Sequence, residues 1–397
     1  MRTILITGPG GSGRTTVAAA TALRAAGEGV RTLLLSADHT DTPGVALGTG
    51  TGPAPAEAAP HLTAWRPDAA DRFRQDLTAF QSRAANVLDL LGAARLDAEE
   101  VTPLPGAEEL SFLRALRDAA LSERYDLLVV DLPPLPAALT LLGLPEELRR
   151  YLRRLLPPER QAARALRPVL GRLAGVPMPA DWLYETAARW DVELAAVESV
   201  LTDPDTAVRL VAEPGPAGAD AVRTATLGLA LRGLRTEALI ANRTLPEADA
   251  GDRLAPGFAP LLSLLAQQRK TLADWAESYD VHPVPHLGRD PQGPDDLTAL
   301  RVPAVKAAAT PVEWPVTDRI AEDGVLVWQL PLPGAIRDEL DLIRRGDELL
   351  ITAGPFRRIV PLPSALRRCT VAGAALRDGE LRIRFAPDPD LWPAARR

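Results

Sequence analysis

The chain up to about residue 300 alternates between short apolar runs and longer stretches in which apolar residues recur every three or four positions. A bounded apolar run predicts a buried strand, and the recurring pattern predicts an amphipathic helix. Strands are predicted at residues 5–7, 30–36, 62–65, 125–131, 207–211, 238–242 and 281–287. Helices are predicted at 15–26, 68–96, 108–122, 217–232 and 261–279, with several more between 139 and 201. This alternation predicts an α/β fold with a mostly parallel sheet that is flanked by helices.

The pattern changes after residues 301–323, where proline, alanine and charged residues predict a linker. Short strand-like runs follow at 325–332, 340–344, 348–352, 359–362, 370–377 and 380–385. Arg345-Gly346 and Asp378-Gly379 separate neighbouring runs, as hairpin turns do. The predicted organisation is therefore an α/β domain over 1–305 with helical insertions at about 66–122 and 135–200, a linker over 306–323, and a small all-β sandwich over 324–388.

One predicted helical segment, residues 148–156, carries an apolar face and a basic face. Its apolar face contains Leu148, Tyr151, Leu152, Leu155 and Leu156, and its basic face contains Arg149, Arg150, Arg153 and Arg154. One interpretation is a stripe that packs on the core while the arginines are solvated. The other is a groove for an apolar partner helix.

The first strand continues directly into a glycine-rich turn and then into a helix. The residues of this turn and helix start are Gly8, Gly10, Gly11, Ser12, Gly13, Arg14, Thr15 and Thr16. They have the spacing of a phosphate-binding P-loop, G-x-x-x-x-G-K-[ST], with Arg14 in place of lysine and Thr15 where a hydroxyl holds Mg²⁺. Glycines let consecutive N–H groups converge on an anion, and the following helix directs its positive end there. A tight turn that keeps its glycines for packing alone is the other interpretation.

Two aspartates lie at or just after the ends of predicted strands, where they could act together with the glycine-rich loop. Asp38 lies in the loop 37–43 after the second strand, and Asp131 ends the apolar strand 125–131. A carboxylate at the end of such a strand is typical of the residue that organises Mg²⁺ in P-loop proteins, although a strand-end aspartate also serves as a helix cap. Ligands of parallel sheets bind at the carboxyl ends of the strands, so Gly8, Asp38 and Asp131 are expected to converge on one site.

The composition of the chain indicates which kinds of partner and which cellular compartment to expect. The chain of 397 residues has a net charge of -7, which gives no reason to expect nucleic-acid binding. Cys369 is the single cysteine, which excludes an intrachain disulfide and a C-x-x-C metal site and fits a cytoplasmic location. No apolar run is long enough to predict membrane insertion. Lys270 and Lys306 are the only lysines, but an arginine at a phosphate site still differs from lysine in shape and hydration.

The order and spacing of several motifs resemble those of the ArsA-type ATPases, which include arsenite-pump ATPases and ATPases that deliver tail-anchored membrane proteins. The resemblance covers about residues 1–300. Its motifs are the loop with Thr15-Thr16-Val17-Ala18, Leu34-Leu35-Ser36-Ala37-Asp38, Leu104-Pro105-Gly106-Ala107-Glu108-Glu109, Asp131-Leu132-Pro133-Pro134, Asp203-Pro204-Asp205-Thr206 and Asn242-Arg243-Thr244-Leu245-Pro246. The region 324–388 resembles the alpha-crystallin (small heat-shock) domain that some bacterial members carry.

The resemblance implies roles for individual residues. Asp38 would polarise the attacking water and Arg14 would serve at the phosphates, so both are candidate catalytic residues. Thr15 and Asp131 would hold Mg²⁺, Asp131 through a water, and Asn242 would read the adenine of ATP. The family also implies a homodimer that clamps ATP and opens or closes a surface for a hydrophobic client.

Four features depart from the family pattern. Pro9 replaces the signature lysine that reaches across the dimer, and Arg14 replaces the second lysine. Switch I reads His39-Thr40-Asp41 instead of Pro-Ala-His, and switch II reads Leu135-Pro136-Ala137 where Thr-Gly-His is usual. Losing one preorganised donor to the transition state costs about 3 kcal/mol, or roughly a hundredfold in rate.

Two hypotheses follow from these observations. The first is an ATP-binding protein with weak hydrolysis that couples its nucleotide state to an apolar client or partner protein. The second is a catalytically inactive member that acts as a chaperone-like binding scaffold. An Arg14 side chain turned toward Asp131 as an internal counter-ion would favour the second hypothesis.

Overall fold

The computed structural model describes residues 1–83, 85, 94, 96–156, 181–246, 259–306 and 312–392. Its largest sheet contains β1 (Arg2–Thr7), β2 (Thr32–Ser36), β3 (Ala56–Ala59), β4 (Leu62–Trp65), β5 (Leu127–Asp131), β6 (Thr206–Ala212), β7 (Thr236–Thr244) and β8 (Val281–Pro285). The eight strands have the order β3-β4-β2-β5-β1-β6-β7-β8. Strands β4, β2, β5 and β1 are parallel, as are β6, β7 and β8, whereas β3 is antiparallel to β4. The predicted α/β class with a mostly parallel sheet is confirmed.

The helices of the α/β part are α1 (Arg14–Gly27), α2 (Thr42–Leu47), α3 (Ala69–Arg83), α4 (Ala107–Leu121), α5 (Ala137–Leu155), α6 (Asp181–Leu201), α7 (Pro216–Leu231), α8 (Ala259–Ala276) and α9 (Gly293–Ala299), with a short 3-10 turn at Ala98–Glu100. The chain divides into two compact units, which comprise residues 1–7, 13–206 and 287–307, and residues 8–12, 207–286 and 308–397. Among the described residues, no helix combines the length and apolar character that crossing a bilayer requires.

In the first unit, three neighbouring strands end in register. Ile6 of β1 and Ser36 of β2 are both paired with Asp131 of β5. The interior positions of these strands are apolar and buried, because helices such as α1 cover the sheet. The shared end of the strands therefore sets polar residues next to one another at the edge where such sheets bind ligands.

The second unit ends in a β-sandwich. Its strands are β9 (Val316–Arg319), β10 (Val325–Pro331), β11 (Leu340–Arg345), β12 (Glu348–Ala353), β13 (Phe356–Pro361), β14 (Cys369–Arg377) and β15 (Glu380–Pro387), with a short helix α10 (Ile320–Asp323) and 3-10 turns at Arg337–Glu339 and Ser364–Arg368. One sheet has the order β14-β15-β10-β9 and the other has the order β11-β12-β13. Asp378 and Gly379 both have positive φ in the hairpin between β14 and β15, as a two-residue type I′ turn requires. The predicted all-β domain is confirmed.

Helix α7 contributes to the core of this sandwich. Leu227 and Leu231 of α7 are buried in one cluster with residues of both sheets, including Leu330 and Val360. Arg358 of β13 also donates a hydrogen bond to the carbonyl of Leu231 at 2.8 Å. Because the cluster is continuous, the sandwich and α7 share one hydrophobic core rather than meeting across a polar seam.

The structure also differs from the sequence predictions in several places. Helix α2 begins inside the loop predicted for 37–43, and strand β3 lies in a stretch for which the sequence predicts no element. Strand β9 lies within the predicted linker and pairs antiparallel with β10. Parts of the predicted helices at 68–96 and 139–201 lie outside the described residues.

The helical segment at 148–156 does not pack on the core as a uniform stripe. The side chains of Tyr151 and Leu155 are 52% and 76% exposed. Arg149, on the face expected to be solvated, pairs with Asp191 of α6 at 3.1 Å and also with Glu198. Part of the basic face therefore forms ion pairs between α5 and α6. The interpretation that the stripe packs on the core while the arginines are solvated is wrong for these residues.

Candidate functional site

The P-loop leaves the end of β1 with its backbone prepared for an anion. Gly13 immediately precedes α1 with φ of 86° and has no side chain to cap the helix, so the first N–H groups of α1 stay available. Gly11 has φ of 79°, a conformation that favours glycine. Gly10 and Gly11 are exposed, and a Cβ built on either would meet no atom within 4 Å. The loop thus presents backbone donors on an accessible surface.

Gly8 is required for close packing rather than for a special φ. A Cβ at Gly8 would lie 1.9 Å from the carbonyl oxygen of Val211 in β6 and 3.0 Å from the hydroxyl of Ser12. The hydroxyl of Ser12 is buried and has no hydrogen-bond partner among the described residues. The start of the loop therefore lies against β6 with no room for a side chain.

Arg14 turns toward the end of β5. Its Nη1 atom donates to the carbonyl oxygen of Leu132 and lies 3.9 Å from Oδ1 of Asp131. Burial lowers the pKa of the Arg14 guanidinium, while the charges of Asp131 and Asp38 oppose that shift. Arg14 is therefore an internal counter-ion of Asp131, which is the arrangement that the second hypothesis predicts.

Asp131 is buried at the centre of the site. Its Oδ2 accepts a hydrogen bond from the hydroxyl of Ser36 at 2.8 Å, and Oδ1 has no hydrogen-bond partner among the described residues. Burial raises the pKa of Asp131 to about 6, although Ser36, Arg14 and Thr15 each act to lower it. A buried carboxylate oxygen with a raised pKa is suited to take a cation or a proton when one is supplied.

Asp38 is fixed by the residues that depart from the family's switch I. Its Oδ1 accepts hydrogen bonds of 3.0 Å from both the backbone N–H and the hydroxyl of Thr40, and Thr40 in turn contacts the hydroxyl of Thr42 at 2.9 Å. Burial alone would raise the pKa of Asp38, but these hydrogen bonds and Arg14 hold the pKa below its usual value. Asp38 is therefore an ionised carboxylate with a defined orientation.

Asn242 and Arg243 at the end of β7 contact the outer half of the P-loop. The amide of Asn242 donates to the carbonyl of Ser12 at 2.7 Å, and Arg243 donates to the carbonyl of Gly11 at 3.0 Å. Asn242 is buried in this position. The reading of adenine by Asn242 stays a prediction.

The structure brings Arg14, Thr15, Asp38 and Asp131 together. Asp38 and Asp131 are two of the three residues whose convergence the strand ends predict. Sequence reasoning assigned no role to Ser36, Thr40 or Arg243. Ser36 was recognisable as the last residue of a strand beside the strand of Asp131. The contacts of Thr40 and Arg243 depend on loop conformations that no periodic pattern indicates.

A cleft of about 400 Å³ opens beside Asp38 in the first unit. Asp38 and His39 of switch I line it together with Pro133 of switch II, Phe112 of α4 and Leu141 of α5. His39 also lies 3.6 Å from Glu108 at the start of α4. The cleft therefore adjoins both the candidate catalytic carboxylate and the helical segments.

Known protein families match both parts of the chain. A family model described as an anion-transporting ATPase matches residues 1–288, and a model of the HSP20-like domain found in ArsA matches residues 323–385. An uncharacterized protein of Streptomyces coelicolor is 72% identical over the full length of both chains. A Mycobacterium tuberculosis protein is 33% identical, covering 99% of this chain and 97% of the relative. A putative arsenical pump-driving ATPase of Aquifex aeolicus is 24% identical, covering 96% of this chain and 99% of the relative.

Proposed function

Since the chain belongs to the ArsA family of anion-transporting ATPases, we propose that it binds Mg·ATP, hydrolyses it slowly, and couples its nucleotide state to an apolar client or partner protein. The observation that carries the proposal is the meeting of Arg14, Thr15, Asp38 and Asp131 at the ends of β1, β2 and β5. These residues supply a cation, a hydroxyl and two carboxylates in one place. That set is what the positioning of a triphosphate and a metal ion requires.

Binding of the phosphates relies on the backbone. The N–H groups at the start of α1 have no side-chain cap, and the helix dipole favours an anion there. Because Pro9 has no N–H and the N–H of Ser12 donates to the carbonyl of Pro9, the donors come from Gly10, Gly11 and the residues from Gly13 to Thr16. Nucleotide binding is therefore expected to survive the loss of both family lysines.

The residues present fit a magnesium ion. Oδ1 of Asp131 is a buried oxygen that lacks a hydrogen-bond partner among the described residues, and the Thr15 hydroxyl interacts with the same carboxylate. Hard oxygen ligands of this kind are what Mg²⁺ prefers, and one or two protein ligands suffice when phosphates supply the others. Thr15 and Asp131 would hold the ion, and the ion would neutralise charge on the phosphates.

Hydrolysis is expected to be slow because two donors to the developing charge are changed. Pro9 carries no charge, and the guanidinium of Arg14 is already bound to Leu132 and Asp131. Arg14 must release these partners before it can contact a phosphate. Asp38 is ionised and oriented by Thr40, so the group that would polarise the water is retained.

Coupling to an apolar client is proposed from the helical segments. Large apolar side chains are exposed on several of them, including Phe80, Leu121, Tyr151, Leu155 and Val192. The cleft that contains Asp38 is also lined by α4 and α5. A conformational change at switch I would therefore occur next to these helices. A homodimer in the cytoplasm, as in the family, is part of the proposal.

An arsenical substrate, which the name of the Aquifex relative suggests, is not part of the proposal. Cys369 is the single thiol of the chain, and it is buried in the β-sandwich. Burial raises the pKa of this thiol, which disfavours the thiolate that binds soft metalloids.

A second candidate function is a catalytically inactive, chaperone-like scaffold. The position of Arg14 favours this function. The positive charge of its guanidinium already compensates the negative charge of Asp131, so Mg²⁺ is not needed to do so. In that case the α/β part serves as a support, and the helical surfaces and the β-sandwich bind partners.

Calorimetric titration of the full chain with ATP and Mg²⁺, followed by phosphate release on the same sample, separates the two functions. The first function predicts a Kd of about 10 μM and turnover below about 0.1 per second. The variants Arg14→Lys and Pro9→Lys are expected to raise the turnover, and Asp38→Asn to abolish it while ATP binding persists. Absence of binding at millimolar ATP contradicts the first function and leaves the scaffold.

A further inference from the structure

We infer that Arg243 is a positioning residue that holds the outer half of the P-loop, residues 8–12, in the conformation that receives phosphate. The inference rests on the proposed nucleotide function, because it assigns Arg243 a role at that same site. It concerns the conformation of the loop before any nucleotide arrives, so it can be tested without nucleotide.

Two neighbouring strands hold the loop through Arg243. Its Nη1 atom donates to the carbonyl oxygen of Gly11 at 3.0 Å and lies 2.5 Å from Oε1 of Glu213. Glu213 directly follows β6, and Arg243 lies near the end of β7. The guanidinium therefore links the ends of both strands to the loop.

The backbone at Arg243 is unusual in a way that serves this contact. Arg243 has φ of 56°, in the left-handed region that is unfavourable for a residue other than glycine. In a regular strand, successive side chains point to opposite faces. Here Asn242 and Arg243 are adjacent, yet both donate to the loop, to Ser12 and Gly11 respectively. The left-handed conformation accounts for this departure from alternation.

Holding these two carbonyls also directs the donors of the loop. A peptide group is planar and trans, so a fixed carbonyl fixes the N–H of the next residue in the opposite direction. The carbonyl of Gly11 thereby orients the N–H of Ser12, which donates to Pro9 within the loop at 3.3 Å. The carbonyl of Ser12, which accepts from Asn242, likewise orients the N–H of Gly13. Phosphate binding by a P-loop depends on this orientation of its N–H groups.

Arg243 is expected to stabilise the loop and to add little to the stability of the whole protein. Arg243 and Glu213 are 42% and 52% exposed, and an exposed ion pair adds little to the stability of the whole protein. Loss of the guanidinium should therefore release the loop without unfolding the chain. Substitution of a residue with a merely structural role would instead destabilise the whole chain and leave the loop in place.

The first test is amide hydrogen exchange of the full chain without nucleotide. Arg243→Ala is expected to speed exchange of the Ser12 N–H, which donates to the carbonyl of Pro9, by about tenfold, with the midpoint of thermal unfolding unchanged. Arg382→Ala is a matched control, because Arg382 pairs with Glu380 at 2.8 Å in the same unit and is 46% exposed. Equal exchange of the loop in Arg243→Ala and in the wild type would overturn the inference.

The second test compares the affinities for ATP and for adenosine. Arg243→Ala is expected to weaken ATP binding by about tenfold and to leave adenosine binding unchanged, because the loop contacts phosphate alone. Faster exchange with unaltered ATP affinity would mean that the contact does not serve phosphate binding, which also overturns the inference. If the wild type binds no ATP, the proposed function fails, and the exchange experiment alone decides the role of Arg243.

Discussion

The guanidinium of Arg14 lies 3.9 Å from the buried carboxylate of Asp131 and donates to the carbonyl of Leu132. A residue at the phosphate-contacting position of a P-loop is thus bound to the end of the strand that would organise the metal. This relationship explains how a chain can retain the carboxylates of the family while it lacks both lysines. The charge of Arg14 also affects the pKa of Asp131, so the protonation of Asp131 depends on Arg14.

A double-mutant cycle on Arg14 and Asp131 should measure this pair directly. With Arg14→Ala, Asp131→Asn and the double variant, we expect a favourable coupling of about 0.5–3 kcal/mol near pH 8, where both groups are charged. The coupling should vanish near pH 4, because Asp131, whose pKa is about 6, is then neutral. Urea unfolding of the four proteins at both pH values provides the measurement. A coupling that does not change with pH would show that the two side chains do not interact as charges.

The raised pKa of Asp131 predicts a pH dependence of stability. The folded protein holds a proton on Asp131 up to about pH 6, whereas the unfolded chain releases it near pH 4. The folded state therefore loses stability as pH rises from about 4 through 6, by about 3 kcal/mol in total. Asp131→Asn should remove this loss, so the variant should match the wild type near pH 4 and exceed it near pH 7. Parallel curves for the two proteins across this range would contradict the prediction.

Gly8 and Gly10 should respond oppositely to the same substitution. Gly8→Ala places a Cβ 1.9 Å from the carbonyl of Val211, so the backbone must shift, at a cost of about 1–3 kcal/mol. Gly10→Ala has no atom within 4 Å of the new Cβ and is expected to be neutral within about 0.5 kcal/mol. Chemical unfolding of both variants is the measurement. Equal effects would show that Gly8 is not packed against β6.

The core that α7 shares with the β-sandwich should be sensitive to truncation. Leu231 is 1% exposed in that cluster, so Leu231→Ala is expected to cost about 2–5 kcal/mol. Leu264→Ala in α8 is the control, because its side chain is 53% exposed, and it should cost less than about 0.5 kcal/mol.

Deletion of the sandwich from residue 312 onward tests the same core. The deletion uncovers Leu227 and Leu231, so the remaining chain is expected to bind a hydrophobic dye. A Leu231→Ala variant as stable as the wild type would mean that α7 and the sandwich are independent.

Much of the fold was predictable because local chemistry determines it. The strand that ends in Asp131, the glycine-rich turn before α1 and the hairpin at Asp378-Gly379 each rest on a short run of residues whose preferences agree with the final structure. The family resemblance added expected roles for Asp38 and Thr15, and these roles stay predictions. The proximity of Asp38 and Asp131 followed from the rule that parallel strands present their carboxyl ends together.

The remaining features depend on contacts between distant segments. Periodicity shows that Leu227 and Leu231 face a core, but it does not show that this core belongs to the β-sandwich. The direction of Arg14 is set by a carboxylate on another strand, and that of Arg243 is set by a left-handed backbone in β7. Arg149 was assigned to solvent because its partners on α6 could not be identified from the spacing within α5.

The measurement that tests the account most directly is the dependence of ATP affinity on Mg²⁺ in the wild type and in Asp131→Asn. We predict that the wild type binds ATP with a Kd of about 10 μM with Mg²⁺ and at least about tenfold more weakly with EDTA. Asp131→Asn should lose that difference, because it removes the negative charge of the buried carboxylate that would hold the ion. Absence of binding under both conditions, or an Mg²⁺ effect that persists in Asp131→Asn, would contradict the account.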